Sequence, residues 1–426
     1  MDWSFLIRNK DSLLVSTDTR NLPAGCVFFA LHGANFDGNK FAKQALEQGA
    51  SLAVIDNPEY ALPEGTLLVE DTLLALQDLA RAWRRELGLP IIGITGTNGK
   101  TTTKELLAAV LYTKYHLHYT QGNLNNQIGV PLTLLQITRA HEMAIVEMGA
   151  SHPGDIKELV EIAEPNFGLI TNVGRAHLEG FGSFEGVQRT KQELYDYLFA
   201  HNGTIFRNAD NPFLAAMENH ATQLYTTLHN ATPLLHNATQ LLHNATQLPH
   251  HATQLYTTGS MPSGTHLVGE YNAENVSAAM CVGEYFGISR EQALDAIRQY
   301  VPTNNRSQAM QTANNQLIVD AYNANPTSMQ AAINAFKGDT YILGAMRELG
   351  EYSHLEHQNI VNMLAERKAD TVFLVGEEYR QTTSPYPIFD RVEDLHKYLE
   401  EYPLKDRNIL LKGSRSTKME FLLDIL

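Results

Sequence analysis

The sequence predicts an α/β protein of three domains, of which the larger two contain mainly parallel sheets. Its 426 residues are too many for a single hydrophobic core. Short apolar runs alternate with helical segments, as in parallel strands joined by crossover helices. We expect a small N-terminal α/β domain at residues 1–87, a central parallel-sheet domain at residues 88–302 and a Rossmann-like domain at residues 303–426.

Composition narrows the class of protein. Hydrophobic residues make up 43% of the chain and charged residues 19%, a balance typical of globular proteins. The net charge of −15 argues against binding to nucleic acid or to an anionic membrane surface. Two distant cysteines, Cys26 and Cys281, fit a reducing compartment, and the sequence shows neither a signal peptide nor a membrane-spanning run. We therefore expect a cytoplasmic protein without membrane insertion, and a monomer.

The apolar runs locate the elements of the first domain. Strands are predicted at residues 26–31 and 51–56, and helices at residues 41–48 and 72–86. Gly88-Leu89-Pro90 then marks a boundary, because Gly and Pro interrupt both kinds of element.

The central and C-terminal domains show the same alternation of predicted strands and helices. The predicted central elements are a strand at residues 91–95, a helix at residues 100–112 and strands that end at Glu147 and Asn172. The predicted C-terminal elements are strands at residues 317–319, 341–343, 372–375 and 409–411 and helices at residues 326–336 and 355–367. Ligands of such sheets bind beyond the carboxyl ends of the strands, so residues that follow strands are the candidates for function.

A seven-residue repeat interrupts the central domain at about residues 223–258. Leu-His-Asn-Ala-Thr occurs at residues 228–232, 235–239 and 242–246, with a degenerate copy at residues 250–253. Periodic histidines suggest a metal-binding array. A tandem expansion that forms a loop or irregular strands is favoured, because Asn, Thr and His are poor helix formers and Pro233 and Pro249 interrupt any helix. The repeat occupies the place of strands expected late in this domain.

The strongest motif lies between the predicted strand at residues 91–95 and the helix that follows. It comprises Gly96, Thr97, Asn98, Gly99, Lys100, Thr101 and Thr102. Glycines let a backbone wrap a phosphate, and the N–H groups at a helix start attract it. Lys100 supplies a cation for the β- and γ-phosphates, and the Thr101 hydroxyl suits Mg²⁺. The motif predicts an ATP-binding loop, although Ile94 stands where the general Walker pattern has glycine.

This loop variant resembles that of the Mur ligase family, the ligases of bacterial cell-wall synthesis, whose superfamily includes folylpolyglutamate synthases. Segments at residues 122–131, 146–150 and 176–182 are similar to further family motifs, in the same order. The resemblance covers nearly the whole chain outside the repeat. It implies an ATP-dependent ligase that activates a carboxylate as an acyl phosphate and then forms an amide bond.

The resemblance also implies a magnesium site. Glu147 ends an apolar strand, where a carboxylate is costly unless it meets a cation. The family pattern adds His177 to Thr101 and Glu147 as metal ligands. Lys191 matches a lysine that many members carboxylate with CO₂, whereas the sequence alone equally allows a solvated helix lysine.

Four further residues correspond to the nucleotide site of the family. Asn272 and Asn275 are three apart, so one helical face can present both amides to the nucleotide, although such pairs also occur as helix caps. Arg306 matches an arginine near the γ-phosphate, and Asp320 matches an aspartate at the ribose. For each of these two a surface ion pair is the alternative.

The segment at residues 320–329, Asp-Ala-Tyr-Asn-Ala-Asn-Pro-Thr-Ser-Met, resembles the subfamily that adds D-alanyl-D-alanine to UDP-N-acetylmuramoyl-tripeptide. The implied substrate-binding residues are Ser16, Thr17, Arg20, Asp37, Asn125, Asn126, Asn323, Asn325 and Ser414. One departure is Ala345, where the family usually has aspartate. A nucleotide-dependent regulatory protein, a partner-binding protein that acts through the repeat and a ligase for another amino acid are the competing hypotheses.

Overall fold

The structure, a computed structural model, describes residues 1–33, 35–217, 224–226, 252–302 and 306–426, with the backbone alone at 224–226 and 252. The three full copies of the repeat lie outside the described residues, so the metal-array and tandem-expansion interpretations both stay predictions. No helix in the described part of the chain is long and apolar enough to cross a membrane.

The N-terminal unit contains a four-stranded parallel sheet in the order β1-β2-β5-β6 and a hairpin of β3 and β4. Its strands are β1 Val15–Ser16, β2 Val27–Phe29, β3 His32–Gly33, β4 Phe36–Asp37, β5 Leu52–Ile55 and β6 Thr66–Leu68. Its helices are α1 Ser4–Ile7, α2 Ala42–Glu47 and α3 Thr72–Leu87. The predicted strands and helices are present, each shorter by up to a few residues, except that α3 runs one residue further.

Helix α3 connects this unit to the next. Asp71 caps its first turn by accepting a hydrogen bond from the Leu74 amide at 2.9 Å, and Gly88 ends it with a left-handed φ of 64°. The Trp83 indole donates to the Ile137 carbonyl at 2.8 Å, and Arg84 donates to the Glu164 carbonyl at 2.9 Å. The helix therefore fixes the N-terminal unit against the central one.

The central unit contains a seven-stranded, fully parallel sheet in the order β12-β13-β11-β10-β7-β9-β8. Its strands are β7 Ile91–Thr95, β8 Leu117–Tyr119, β9 Met143–Glu147, β10 Phe167–Ile170, β11 Thr204–Asn208, β12 Leu224–Thr226 and β13 Ala252–Tyr256. Its helices are α4 Lys100–Leu111, α5 Gly129–Leu135, α6 Asp155–Ala163, α7 Leu178–Phe181, α8 Phe184–Ala200, α9 Pro212–Ala216, α10 Asn272–Tyr285 and α11 Arg290–Gln299. Apolar clusters cover both faces of the sheet, which explains why its strands are continuous apolar runs.

The strands β12 and β13 correct one expectation. The repeat does not replace the late strands of this domain, because β13 pairs with β11 from Thr204↔Ala252 to Asn208↔Tyr256, and β12 extends the sheet beyond it. The degenerate last copy of the repeat runs into β13, a regular strand. The chain at residues 227–251 is therefore the connection between two parallel neighbours.

The C-terminal unit contains a six-stranded sheet in the order β14-β15-β19-β16-β17-β18, parallel except for the edge strand β14. Its strands are β14 Gln308–Gln311, β15 Gln316–Asp320, β16 Thr340–Gly344, β17 Thr371–Val375, β18 Ile388–Phe389 and β19 Asn408–Lys412. Its helices are α12 Pro326–Ala335, α13 Ser353–Glu366 and α14 Val392–Glu401. The predicted α/β fold with parallel sheets is confirmed, and the three sheets fall within the three predicted residue ranges.

Candidate active site

The loop between β7 and α4 has the conformation that its glycines predict. Gly96 has a φ of 145° and Gly99 a φ of 78°, both in the region that favours glycine. A Cβ atom at Gly96 would overlap the Thr171 hydroxyl, and one at Gly99 would overlap the Asn275 amide. Both positions therefore require glycine for conformation and for space.

Hydrogen bonds from the end of β10 hold this loop. The Asn98 amide donates to Asn172 Oδ1 at 2.9 Å, and the Asn98 carbonyl accepts from Thr171 Oγ1 at 2.6 Å. The Thr97 amide donates to the Asn172 carbonyl at 3.0 Å. The loop is therefore rigid on its inner side, as a preorganised phosphate cradle must be.

The Lys100 amine lies folded over the loop. Its Nζ donates to the Gly96 carbonyl at 2.7 Å and to the Thr97 carbonyl at 3.1 Å. Burial lowers the pKa of Lys100 to about 8, partly opposed by the Glu147 carboxylate and reinforced by the Arg306 cation. The amine is therefore a buried cation with few anionic partners, and bound phosphates would supply such partners.

Glu147 is buried at the end of β9, with 2% of its surface exposed. The Thr101 hydroxyl donates to its Oε2 at 3.0 Å, and Asn125 Nδ2 donates to its Oε1 at 2.9 Å. The Lys104 amine lies 3.9 Å from Oε2. These three partners stabilise a charge that burial alone would make costly.

The pair of Thr101 and Glu147 fits magnesium. The Thr101 hydroxyl lies at the start of α4 and the Glu147 carboxylate at the end of β9. Such hard oxygen ligands are those that Mg²⁺ takes together with phosphate oxygens and water. The role of His177 as a further ligand stays a prediction. Among the described residues no group of three His, Cys, Asp or Glu side chains is placed to hold a metal.

His177 instead contacts the C-terminal unit. Its Nδ1 lies in hydrogen-bond contact with the Glu348 carboxylate, and its backbone is left-handed with a φ of 50°. Burial lowers the pKa of His177, the Glu348 carboxylate opposes this shift, and the Lys100 cation adds to it. The ring therefore bridges the two units.

Lys191 is buried in α8, with 2% of its surface exposed, so the solvated-lysine interpretation is wrong. Its Nζ lies 5.5 Å from the centre of the Phe181 ring. Within the described chain no acidic side chain comes within 4.0 Å of that nitrogen. Burial lowers the pKa of Lys191 well below its usual value, and the Lys100 cation lowers it further.

Asn272 and Asn275 lie on one face of α10, as predicted, and both are buried. Asn275 Nδ2 donates to Asn272 Oδ1 at 2.9 Å, and Asn275 Oδ1 accepts from the Thr103 hydroxyl at 3.0 Å. The two side-chain amides therefore connect α10 to α4.

Arg306 and Asp320 both have partners within the C-terminal unit. The guanidinium carbon of Arg306 lies 3.9 Å from the centre of the Tyr322 ring, and that of Arg415 lies 5.7 Å from it. Asp320 pairs with the buried amine of Lys412 at 2.6 Å, a contact between neighbouring strand ends. Among the residues that the structure describes, neither forms the surface ion pair that was the alternative.

A cavity of about 640 Å³ lies between the central and C-terminal units. Most of the predicted site residues line it: Thr97, Asn98, Gly99, Lys100, Thr101, Thr102, Asn125, Asn126, Glu147, His177, Asn272, Asn275, Arg306, Asp320 and Asn323. A second cavity of about 410 Å³ shares His177, Tyr322, Asn323 and Glu348 with the first. Asn325 and Ser414 line only this second cavity, while Gly96 and Lys191 line neither.

The predicted residues of the N-terminal unit are not brought to these cavities. Ser16 Oγ donates to the Asp18 carbonyl at 2.9 Å, and Asp37 accepts from the Asn39 amide at 3.0 Å. Arg20 is 88% exposed on its side chain and pairs with Asp18 at 2.6 Å. Thr17 follows β1 in the same segment. Their role in substrate binding stays a prediction.

Several site residues were missed from the sequence, among them Lys104, Tyr322 and Glu348. Lys104 lies one turn after Lys100 on the buried face of α4, and no local pattern reveals that this lysine is buried. Tyr322 adjoins the predicted Asn323. Glu348 had no local signal, because its partner lies 171 residues away.

Three family models match successive parts of the chain. The model described as "Mur ligase family, catalytic domain" matches residues 14–84. "Mur ligase middle domain" matches residues 94–283, and "Mur ligase, glutamate ligase domain" matches residues 305–414.

Individual proteins resemble the chain over most of its length. The UDP-N-acetylmuramoyl-tripeptide–D-alanyl-D-alanine ligase of Bacillus subtilis is 36% identical, over 95% of this chain and 91% of that protein. Its Escherichia coli counterpart is 33% identical, over 95% and 92%. Among solved structures, MurF ligase from Thermotoga maritima in complex with ADP superposes with a TM-score of 0.78 at 25% identity, covering 97% of each chain. MurF from Acinetobacter baumannii gives 0.76 at 28% identity, covering 96% of this chain and 92% of that one.

Proposed function

Because the chain belongs to the Mur ligase family, we propose that it joins D-alanyl-D-alanine to UDP-N-acetylmuramoyl-tripeptide at the expense of ATP, a step of peptidoglycan precursor synthesis. The terminal carboxylate of the tripeptide attacks the γ-phosphorus of ATP, and ADP leaves. The dipeptide amine then attacks the acyl carbon, loses a proton and displaces phosphate. The product is an amide.

The main cavity supports this proposal more than any other observation. The ATP loop and Glu147 line it from the central unit, while Arg306 and Asp320 line it from the C-terminal unit. A nucleotide on the loop has its outer phosphoryl group aimed into a space shared by two domains. A second substrate can meet that group there, so the arrangement favours group transfer over simple nucleotide binding.

Phosphoryl transfer needs positioning and positive charge, and the chain's own residues supply both. The loop amides and Lys100 hold the phosphates, while Arg306 faces the charge that develops on the transferring group. When bound, Mg²⁺ neutralises phosphate charge at the Thr101 and Glu147 oxygens. Asn125 holds the Glu147 carboxylate in place, and we assign Asn126 to the same substrate-facing wall.

We place the dipeptide in the second cavity. Arg347 and Arg415 line it, and dipeptides carry a carboxylate that guanidinium groups bind well. Glu348 lies where the two cavities meet, so it can attract the cationic amine toward the acyl group. We place the UDP-sugar near Ser16, Thr17, Arg20 and Asp37, in the N-terminal unit.

The test measures phosphate release with UDP-N-acetylmuramoyl-tripeptide, ATP and a panel of amino acids and dipeptides. We expect release to depend on the tripeptide substrate and to be fastest with D-alanyl-D-alanine. Release with a different amino acid would support the competing ligase. ATP binding or slow hydrolysis that ignores every acceptor would identify a regulatory protein.

The repeat offers a separate test of the partner-binding alternative. Parallel neighbours such as β12 and β13 need a connection of about a dozen residues or more. Deleting one unit, residues 235–241, leaves a sufficient connection. A ligase keeps most of its activity in this variant, whereas a protein that acts through the repeat loses its function.

A further inference from the structure

We propose that Asn325 is a positioning residue that fixes the ATP loop to the C-terminal unit, rather than a substrate ligand; this role rests on the proposed ligase function. The observation is a reciprocal amide pair between the two units. Asn325 Nδ2 donates to Asn98 Oδ1 at 2.7 Å, and Asn98 Nδ2 donates to Asn325 Oδ1 at 3.3 Å. Asn325 is 3% exposed, so water cannot readily replace these bonds.

The helix cap determines which way the Asn325 amide points. The side-chain Oδ1 of Asn325 accepts a hydrogen bond from the Ser328 backbone N–H at 2.9 Å. The Asn325 backbone N–H donates to the Ser328 hydroxyl at 3.1 Å, and the two bonds form a capping box on α12. Turning the side-chain amide over would place its NH₂ group against the Ser328 N–H. The cap therefore leaves Nδ2 facing Asn98.

The backbone of Asn98 is held by the central unit. The Asn98 backbone N–H donates to Asn172, and the Asn98 carbonyl accepts from Thr171, both at the end of β10. The Asn98 side chain thus reaches from the loop to the C-terminal unit. A rigid cap on one domain and a rigid loop on the other meet in two hydrogen bonds.

This contact has a consequence for the reaction. Lys100 and Thr101 follow the loop, whereas Arg306 and Asp320 belong to the C-terminal unit, and all four line the same cavity. The proposed transfer requires the two sets of residues to keep a fixed relative position, because small displacements of reacting groups reduce rates strongly. The Asn98–Asn325 pair fixes that relative position at the loop itself.

A different contact between the same units provides a matched control. Arg175 pairs with the buried carboxylate of Glu356 at 2.9 Å, and the Arg175 amide donates to the Thr327 hydroxyl at 3.0 Å. Glu356→Gln weakens docking of the two units without touching the loop. Asn325→Ser keeps a good helix cap but removes the donor to Asn98, and Asn98→Ala removes the other partner.

The experiment is a double-mutant cycle on kcat for phosphate release, with hydrogen exchange of residues 96–99 as a readout independent of activity. We expect Asn98→Ala and Asn325→Ser each to lower kcat about tenfold, and the double variant to be no slower than either. Asn98→Ala and Asn325→Ser should both speed hydrogen exchange of the loop amides, whereas Glu356→Gln should not. The effect of Glu356→Gln on kcat should multiply with that of Asn98→Ala.

Independent effects of Asn98→Ala and Asn325→Ser, or loop exchange equal to wild type in Asn325→Ser, would overturn the proposal. A rise in the KM for D-alanyl-D-alanine with kcat unchanged in Asn325→Ser would identify a substrate ligand instead. If the wild-type protein forms no amide bond with any acceptor, the proposed function fails, and loop exchange in the variants still decides whether the pair fixes the loop.

Discussion

The Thr101 hydroxyl donates a hydrogen bond of 3.0 Å to the Glu147 carboxylate and thereby joins the first turn of the ATP helix to the end of the neighbouring strand. The two residues are 46 positions apart in the sequence. Both line the main cavity beside Lys100. We expect this pair to be the protein's contribution to magnesium binding.

Glu147→Gln keeps the size of the side chain but removes its charge. We expect phosphate release to fall at least about 100-fold, because charge stabilisation in such sites contributes that much. Thr101→Val should raise the Mg²⁺ concentration needed for half-maximal release. Thr101→Ser keeps the hydroxyl and serves as the control. Mg²⁺ dependence in Thr101→Val that matches wild type would contradict the assignment.

Nucleotide affinity should depend on the charge of Lys100. Its pKa in the free protein is lowered to about 8, and bound phosphates favour the cation, so binding raises that pKa. Above pH 8 the free amine has lost its proton and binding must take one up. The affinity for ADP should therefore fall up to about tenfold per pH unit above this value, and the ionisation of Lys100 should cause no pH dependence below it.

Calorimetry of ADP binding in buffers of different ionisation enthalpy measures this proton directly. Lys100→Met should bind ADP weakly and without proton uptake above pH 8. An affinity of the wild-type protein that stays constant from about pH 8 to about pH 9.5 would show that Lys100 does not contact the phosphates.

Lys191 should react with CO₂. Burial lowers the pKa of Lys191 and so favours the neutral amine, whose nitrogen attacks the carbon of CO₂ and releases a proton to give a carbamate. The nearby Lys100 cation favours that anion. With ¹³C-bicarbonate we expect a carbamate resonance that is absent from Lys191→Arg, and lower phosphate release in CO₂-depleted buffer. A spectrum without this resonance would contradict carbamate formation at Lys191.

Tyr322 should position Arg306. Its ring contacts two guanidinium groups, Arg306 at 3.9 Å and Arg415 at 5.7 Å, and such contacts contribute about 0.5 to 2 kcal/mol each. Tyr322→Leu should lower kcat about five- to tenfold with little change in ADP affinity, whereas Tyr322→Phe keeps the ring and most of the rate. Equal rates in the Leu and Phe variants would show that the ring does not act on Arg306.

The sequence was most informative where the signal is local. The ATP loop needs glycines at fixed positions before a helix, and Glu147 stands at the end of an apolar run, so both could be predicted from a few neighbouring residues. The parallel sheets followed from the same local rhythm. Element ends were less accurate, since packing decides where a strand stops pairing.

Contacts between units could not be predicted in this way. The partners His177 and Glu348 are 171 residues apart, and Asn98 and Asn325 are 227 apart. Nothing in either local pattern identifies the other partner. A resemblance assigned His177 to a metal and Asn325 to a substrate, and it gave no sign that each also contacts the opposite domain. The metal role of His177 stays a prediction. The burial of Lys191 was equally invisible, because a single lysine in a helix does not reveal which face is covered.

The transfer of oxygen from the substrate to phosphate tests the central claim most directly. UDP-N-acetylmuramoyl-tripeptide labelled with ¹⁸O in its terminal carboxyl group is incubated with ATP, D-alanyl-D-alanine and the protein, and the released phosphate is analysed by mass spectrometry. An acyl phosphate requires one labelled oxygen in each phosphate formed from doubly labelled carboxylate. Unlabelled phosphate accompanying amide formation would contradict the account.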